Sequence, residues 1–268
     1  MRFDFVKGHG THNDFVVLPD LDGSMFDDLD STLVAAICDR RGGIGADGVL
    51  RVLTSSGDAP FFMDYRNADG SDSEMCGNGM RVFARFLADE GLVDPSLPLA
   101  VDTRDGVKHV TFCPDGEISV DLGFPRVGEP VKVSVEGREF AAQAVDTGNP
   151  HAVALVDTAE QLAGLSAEPE HVASDFPHGV NVEFVWRQRS QPAEARMRVF
   201  ERGVGETASC GTGACAVAAV LASYDGEEAP DAYTIAVPGG VLTVRLDERG
   251  HAHLKGSAVL VARGTWLG

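Results

Sequence analysis

The stretches Cys76-Gly77-Asn78-Gly79 and Cys210-Gly211-Thr212-Gly213 decide the fold, because the second repeats the first 134 residues later in a chain of 268. Self-similarity at a fixed spacing is typical of a duplicated module, and here the spacing is half the chain. The sequence therefore predicts two related halves, each built around its own Cys-Gly-x-Gly motif.

A helix is predicted directly after each cysteine. After Cys76, apolar residues between positions 80 and 87 follow the i, i+3, i+4, i+7 spacing of an amphipathic helix, and Gly91 is a stop signal. After Cys210, the run 214–221 is apolar on every side and uncharged, which is typical of a buried helix. Each motif thus begins a helix that the rest of its half is expected to enclose.

Polar residues outside the two motifs also recur in chain order at about the same offset. The pairs are Asn67 with Glu201, Asp47 with Asn181 and, with a slip of two residues, Asn13 with Asn149. With the Cys-Gly-x-Gly motifs themselves, these make four recurrences in chain order, which favours duplication over chance.

The remaining sequence is a series of short segments with period-two alternation, such as 131–135, separated by Gly and Pro turns. This pattern predicts an α+β fold with two pseudo-symmetric domains, each a mostly antiparallel sheet wrapped around a central helix. We expect one domain over residues 1–124 and the other over 125–256, with a last strand at about 257–268 that can return to the first. The active site is expected in the cleft between them.

Composition excludes several classes of protein. Lys+Arg 22 against Asp+Glu 41 give a formal charge of −19, which argues against nucleic-acid and anionic-membrane partners. No apolar run approaches the roughly 18–20 residues of a membrane span, and no signal peptide is visible. The five cysteines are widely spaced and odd in number, so a disulfide scaffold is not expected. We expect a cytoplasmic enzyme with reduced thiols.

A cysteine at the start of a glycine-rich helix suits acid–base chemistry. The helix dipole and free N–H groups are expected to lower the thiol pKa, and the same N–H groups can bind a substrate carboxylate. Two such cysteines, facing each other across a pseudo-two-fold axis, could remove a proton from one face of a carbon and deliver one to the other. A nucleophilic hydrolase needs only one cysteine with a histidine, so the pair favours a racemase or epimerase.

Longer motifs carry a resemblance to a known family. The segments 67–71 with 76–81, and 201–213, match the signature of diaminopimelate epimerase, and 7–15, 148–151 and 179–182 also resemble that family, in order. The resemblance spans nearly the whole chain. It implies interconversion of LL- and meso-diaminopimelate in lysine and peptidoglycan precursor biosynthesis, without pyridoxal phosphate, other cofactor or metal, by a homodimer.

The resemblance also implies a role for each matched residue. Cys76 and Cys210 would be the paired acid and base, with His151 and Glu201 beside the reacting centre and Glu201 near its ammonium. N–H groups for the reacting carboxylate would come from Gly77, Asn78, Gly211 and Thr212. The substrate, including its distal amino-acid end, would be bound by Asn13, Asn67, Asn149, Asn181 and Arg202.

One position departs from the family pattern. Many members carry a substrate-contacting glutamine where this chain has Gly48, so that contact is expected to be lost or replaced. The surrounding segment 43–48 matches GxGxxG, but it follows a helical run instead of a strand, which makes a dinucleotide site improbable. The closest histidine pairs lack the companions of a metal site.

Other functions remain open at this point. A proline or hydroxyproline racemase resembles this fold and also uses two cysteines, whereas a phenazine-type isomerase would lack the pair. A thiol hydrolase or a non-catalytic amino-acid-binding module are the alternatives from other classes.

Overall fold

The computed structural model describes residues 2–26, 29–188, 190–191 and 193–268. Its helices are α1 Ser31–Cys38, α2 Gly77–Asp89, α3 Ala159–Ala163 and α4 Gly211–Asp225, the last continued by a 3₁₀ turn over Gly226–Glu228. Its strands are β1 Phe3–Gly10, β2 Asn13–Pro19, β3 Gly48–Thr54, β4 Phe61–Asn67, β5 Leu99–Thr103, β6 Gly106–Phe112, β7 Ile118–Asp121, β8 Arg126–Val135, β9 Arg138–Asp146, β10 Pro150–Leu155, β11 Glu170–His171, β12 Asn181–Arg187, β13 Glu194–Glu201, β14 Gly205–Thr207, β15 Tyr233–Val237, β16 Gly240–Leu246, β17 Ala252–Gly256 and β18 Val259–Trp266.

The chain packs as two compact units. One comprises residues 1–120 with 256–268, and the other comprises residues 121–255.

In the first unit the strands pair in the order β18–β1–β2–β3–β4–β5–β6–β7. The β2–β3 and β4–β5 pairs are parallel and the others antiparallel. Helix α2 packs against β1, β2, β3, β4 and β18, and its residues from 77 to 84 are all buried. The amphipathic helix predicted after Cys76 is therefore the central helix of this unit.

The second unit repeats this plan. Its strands pair in the order β11–β8–β9–β10–β12–β13–β15–β16, with β14 also on β13, and the β10–β12 and β13–β15 pairs are parallel. Helix α4 packs against β8, β9, β10, β12 and β16 and is buried from Gly213 to Leu221. Its all-round apolar sequence is explained by strands that pack around it.

Strand register gives the residue-by-residue correspondence between the units. Leu50 lies opposite Tyr65 on β4, and Glu183 lies opposite Val199 on β13, where Tyr65 and Val199 are 134 residues apart. Leu50 is thus the counterpart of Glu183. These two residues are 133 positions apart, one fewer than Tyr65 and Val199, and the rest of β3 and β12 corresponds at the same spacing of 133. The parallel pairs then match Phe15 beside Gly48 with His151 beside Asn181.

The predicted pairing of Asp47 with Asn181 is therefore wrong by one residue, and Gly48 is the counterpart of Asn181. The cause is loop length. Six residues, 55–60, separate the last cross-strand pair of β3 and β4, whereas seven, 188–194, separate that of β12 and β13.

Candidate functional site

Cys76 is the N-cap of α2. Its backbone is extended, with φ −143° and ψ 119°, and its sulfur accepts a hydrogen bond from the Gly79 N–H at 3.4 Å. An N-cap side chain normally satisfies one of the first N–H groups of a helix, and here a sulfur takes the place of the usual oxygen. The side chain is half-buried at a helix terminus rich in N–H donors.

Asn13 is the polar neighbour of Cys76. Its Oδ1 lies 3.7 Å from the Cys76 Sγ and 3.2 Å from the Asn78 Nδ2, both of which donate to it. Asn13 stands at the start of β2 because a two-residue turn, Thr11 and His12 with φ of 49° and 64°, joins β1 to β2. Positive φ at both residues is what such tight hairpin turns require.

Asn78 is held in place by a fully buried arginine. Arg81 donates from Nη2 to the Asn78 Oδ1 at 3.0 Å, and from Nη1 to the Gly77 carbonyl at 3.3 Å. A buried charged residue must be paired or hydrogen-bonded, and this one ties the first turn of α2 together. The side chains of Cys76, Asn13, Asn78 and Arg81 are thus linked in turn by hydrogen bonds into one polar network.

Asn67 is the last residue of β4, at the start of a turn. Its Nδ2 donates to the Ser71 Oγ at 3.0 Å. Position 48 lies directly opposite it on β3, and a Cβ at Gly48 would come within 2.5 Å of the Arg66 carbonyl oxygen and 2.7 Å of the Tyr65 ring. The absence of the family glutamine at this position therefore has a steric basis in this chain.

Cys210 caps α4 in the same way that Cys76 caps α2. It accepts from the Gly213 N–H at 3.4 Å, and its sulfur lies 3.4 Å from the Thr212 hydroxyl. Unlike Cys76, it is buried. Burial raises the pKa of the Cys210 thiol well above its ordinary value, and the charges of Glu201 and Glu183 act in the same direction. The predicted lowering of its pKa is therefore wrong, because desolvation and carboxylate charge outweigh the helix terminus.

His151 forms a buried pair with an acid. Its Nδ1 lies 2.6 Å from the Glu183 Oε1 and its Nε2 lies 3.0 Å from the Asn149 Oδ1, while His151 and Glu183 have no exposed surface. Burial raises the pKa of the Glu183 carboxyl, although the histidine opposes that rise. Of the predicted residues, Asn149 and His151 are brought together with an acid that the motifs had not indicated.

Asn181, Glu201 and Arg202 lie together where β12 begins and β13 ends. The Asn181 amide donates to the Pro150 carbonyl at 3.0 Å and accepts from the Arg202 backbone N–H at 3.0 Å. Glu201 accepts a hydrogen bond from the Thr207 hydroxyl. The Arg202 guanidinium is exposed and donates to the His178 carbonyl at 3.2 Å. Asn181 thus fixes the backbone from which Glu201 and Arg202 project.

Sequence reasoning missed Glu183, Arg81 and the role of Asp47. Glu183 carried a signal, since an acidic residue within an otherwise apolar strand run must be paired when buried. Asp47 accepts from the Asn13 Nδ2 at 2.7 Å and also binds Arg40, a contact visible only in three dimensions.

The described residues contain no cluster of three or more His, Cys, Asp or Glu side chains that could hold a metal ion. In the same part of the chain, every helix is too short or too polar to cross a membrane.

Solved structures share the fold at low sequence identity. A phenazine biosynthesis protein of the PhzF family from Bacillus anthracis aligns with a TM-score of 0.79 at 17% identity, covering 100% of this chain and 99% of its own. A hydroxyproline epimerase from Agrobacterium vitis aligns with a TM-score of 0.71 at 16% identity, covering 98% and 92%. These likenesses confirm the predicted α+β fold with two pseudo-symmetric domains.

Sequence comparison identifies the family. The family model described as diaminopimelate epimerase matches residues 5–127 and 143–261. Proteins named diaminopimelate epimerase from Streptomyces coelicolor and Thermobifida fusca are 47% and 49% identical, covering 99% and 97% of this chain and 97% and 96% of their own lengths. The two cysteine-capped helices thus stand in a sequence that matches this family almost from end to end, and the chain belongs to the diaminopimelate epimerase family.

Proposed function

We propose that this protein is an isomerase that interconverts LL- and meso-diaminopimelate by inverting one α-carbon. The observation that carries the proposal is that each unit caps its central helix with a cysteine, Cys76 on α2 and Cys210 on α4. Inversion by proton transfer needs one base and one acid on opposite faces of the carbon. A duplicated module supplies one such cysteine from each half. An enzyme that uses a single nucleophilic cysteine has no need of the second.

In the proposed reaction one sulfur is a thiolate and the other a thiol. The thiolate takes the α-proton, leaving a carbanion, and the thiol delivers its own proton to the opposite face. The two sulfurs exchange protonation states, so no other reactant is consumed. This scheme requires Cys76 and Cys210 to reach the same α-carbon.

The carbanion requires strong stabilisation, because an amino-acid α-proton is very weakly acidic. We assign this role to the N–H groups of Gly77, Asn78, Gly211 and Thr212, which lie at the starts of the two helices. Preorganised donors of this kind stabilise developing negative charge more effectively than water does.

The raised pKa of Cys210 favours its thiol form in the substrate-free protein, so Cys210 is the proposed proton donor in the direction in which Cys76 is the base. Glu201 is proposed to bind the ammonium next to the reacting carbon. A bound ammonium would offset the carboxylate charge that raises the pKa of Cys210, so that Cys210 can also act as a base in the reverse direction.

The remaining polar residues fit a substrate with an amino-acid group at each end. Neutral amides and one guanidinium suit a zwitterion, and we assign binding to Asn13, Asn67, Asn149, Asn181 and Arg202, with His151 beside the reacting centre. Proline lacks a second charged end, so this set favours diaminopimelate over the substrate of a proline or hydroxyproline racemase.

The family also suggests where and in what form the protein acts. We propose a cytoplasmic homodimer in lysine and peptidoglycan precursor biosynthesis. Light scattering coupled to size exclusion tests the dimer, and a mass corresponding to 28.3 kDa at all concentrations would contradict it.

Solvent deuterium exchange tests the function. In D₂O the protein should introduce deuterium at the α-carbon of diaminopimelate as the isomers interconvert, and Cys76→Ala and Cys210→Ala should each abolish interconversion. Cys215→Ala, five residues further along α4, is the matched control and should remain active. Two single variants with wild-type turnover would contradict the mechanism.

The rival functions give different results in the same assay. A proline racemase would exchange proline and not diaminopimelate. A thiol hydrolase would accumulate an acyl-enzyme on one cysteine with the other dispensable. A binding module would bind the amino acid without exchange.

A further inference from the structure

The same place beneath the two central helices is filled differently in the two units. A Cβ added to Gly79 would lie 3.2 Å from the Leu50 Cδ2 and 3.4 Å from the Phe15 Cζ. In the other unit a Cβ added to Gly213 would lie 2.6 Å from the Glu183 Oε1. Strand register makes His151 and Glu183 the counterparts of Phe15 and Leu50. An acid–imidazole pair therefore replaces an apolar pair beneath the start of the Cys210 helix.

The fold does not require the polar version. Phe15 and Leu50 are fully buried and complete the core of the first unit at this place. Replacing a buried ion pair by apolar residues of similar size is often neutral or stabilising, because the charges no longer have to be desolvated. Among the described residues, moreover, no group hydrogen-bonds the buried Glu183 Oε2. The acid is thus retained at a cost in stability, and a function at this place explains it.

The contacts of His151 define where its protons lie. Its Nε2 faces the Asn149 Oδ1, an acceptor that also lies 2.9 Å from the Thr147 hydroxyl, so Nε2 must carry a hydrogen. Its Nδ1 and the Glu183 Oε1 are 2.6 Å apart and share a second proton. An imidazole without such a partner can exchange its proton between the two nitrogens, whereas this one cannot.

We propose that Glu183 is a positioning residue that holds His151 with a hydrogen on Nε2, so that the fixed Nε2–H donor orients the Asn149 amide, which the proposed function assigns to substrate binding. The second half of this statement rests on the proposed function, whereas the first does not. Glu183 itself makes no contact with substrate in this proposal. Its counterpart Leu50 has no hydrogen-bonding group and cannot play this role, so only the second unit contains such an acid–imidazole pair.

Nitrogen-15 NMR of the whole labelled chain at pH 7.5 tests the positioning without any substrate. Wild-type His151, assigned by its loss in His151→Phe, should show a protonated Nε2 and a downfield proton shared at Nδ1. Glu183→Gln should lose that downfield signal. A wild-type His151 with a bare Nε2 would overturn the proposal even if the enzyme is active.

Steady-state kinetics test the consequence. Glu183→Gln should lower kcat for diaminopimelate by about 10- to 100-fold while KM changes less than about threefold, as expected for a weakened group that acts in the transition state. Glu170→Gln, at an exposed carboxylate on β11, is the matched control and should keep wild-type kcat. An unchanged kcat in Glu183→Gln would overturn the proposal.

The double variant His151→Phe with Glu183→Leu gives the second unit the same apolar pair that Phe15 and Leu50 form in the first. It should unfold at the same temperature as the wild type or higher, and it should show no turnover. A large fall in its Tm would mean that the pair serves the fold, which contradicts the proposal. If the wild type fails to exchange diaminopimelate, the proposed function fails, while the NMR result still decides the role of Glu183.

Discussion

The side-chain amide of Asn13 joins Cys76 to Asp47. Its Oδ1 accepts from the Cys76 thiol at 3.7 Å, and its Nδ2 donates to the Asp47 Oδ2 at 2.7 Å. A carboxylate only accepts hydrogen bonds, so Asp47 orients the amide together with the Asn78 Nδ2, which donates to the Asn13 Oδ1. Arg40 holds Asp47 in turn at 2.6 Å. An acid that does not hydrogen-bond the sulfur of Cys76 therefore helps to set which group of Asn13 faces it.

Removal of that acid should impair turnover. In Asp47→Ala the Asn13 amide can rotate and present its NH₂ group to the sulfur, and we expect kcat/KM for diaminopimelate to fall by about tenfold. Deuterium exchange into the substrate measures this. Asp58→Ala, at an exposed loop position, should have no effect, and an Asp47→Ala variant with the same rate as Asp58→Ala would refute the orientation argument.

The reactivity of Cys210 should depend on Glu201. The pKa of the Cys210 thiol is raised by burial and by the Glu201 charge, so alkylation by iodoacetamide in the substrate-free protein should be slow at neutral pH and increase as the pH rises. In Glu201→Gln the negative charge is absent, the thiolate becomes less unfavourable and the pKa falls. At pH 8 the alkylation rate at Cys210 should then rise by about 3- to 10-fold, as followed by peptide mass spectrometry. An equal or slower rate would show that the charge does not act on the sulfur.

Restoring the family glutamine at position 48 should not improve this enzyme. A side chain there meets the Arg66 carbonyl at 2.5 Å and the Tyr65 ring at 2.7 Å, so Gly48→Gln should cost about 1–3 kcal/mol of unfolding free energy. Urea denaturation provides the value. Gly128→Gln, on a strand where the nearest atoms lie at 3.6 Å, is the control and should be tolerated. A stable Gly48→Gln variant would mean that the strand pair β3–β4 can move apart.

The pair of Arg51 and Asp20 should be important for the stability of the first unit. Arg51 donates from Nε to Asp20 at 2.8 Å and from Nη2 to the Phe26 carbonyl at 2.6 Å, and both charged residues are buried. Arg51→Met leaves the Asp20 carboxylate buried without its cation, which should cost about 3–5 kcal/mol in urea denaturation. Arg41→Met, at an exposed arginine, should change the free energy of unfolding by no more than about 0.5 kcal/mol. A cost for Arg51→Met as small as that of Arg41→Met would argue against the pair.

The parts of the fold that local sequence controls were predictable. Both central helices begin directly after Cys76 and Cys210, because glycine spacing and capping act within one turn, and they end at Asp89 and Asp225, close to the glycines at 91 and 226. The exact match between halves was not predictable, since the last cross-strand pair of β12 and β13 encloses one residue more than that of β3 and β4, and this shifts Asn181 onto Gly48. The repeat spacing alone contains no information on loop length.

In the candidate site, too, the features set by local sequence were predictable and those set by long-range contacts were not. The motifs indicated the capping cysteines and the amides, and Asn13 does lie at Cys76. The acids that orient the site, Asp47 and Glu183, lie in different strands or loops from the side chains they bind, so only the folded chain brings them together. The raised pKa of Cys210 likewise depends on its burial, which no residue pattern near Cys210 could quantify.

The contrast between Phe15–Leu50 and His151–Glu183 gives this protein an internal reference. A double substitution that exchanged one pair for the other would give each half the pair that the other half already has. Both pairs are present in one chain and under identical solution conditions. Chemical shifts, hydrogen-exchange rates and thiol reactivities measured at Gly79 and Gly213 can thus be compared directly, and any difference reports what an acid–imidazole pair does to the start of a helix. The two halves therefore already provide the apolar and the polar version of this pair for comparison, before any substitution is made.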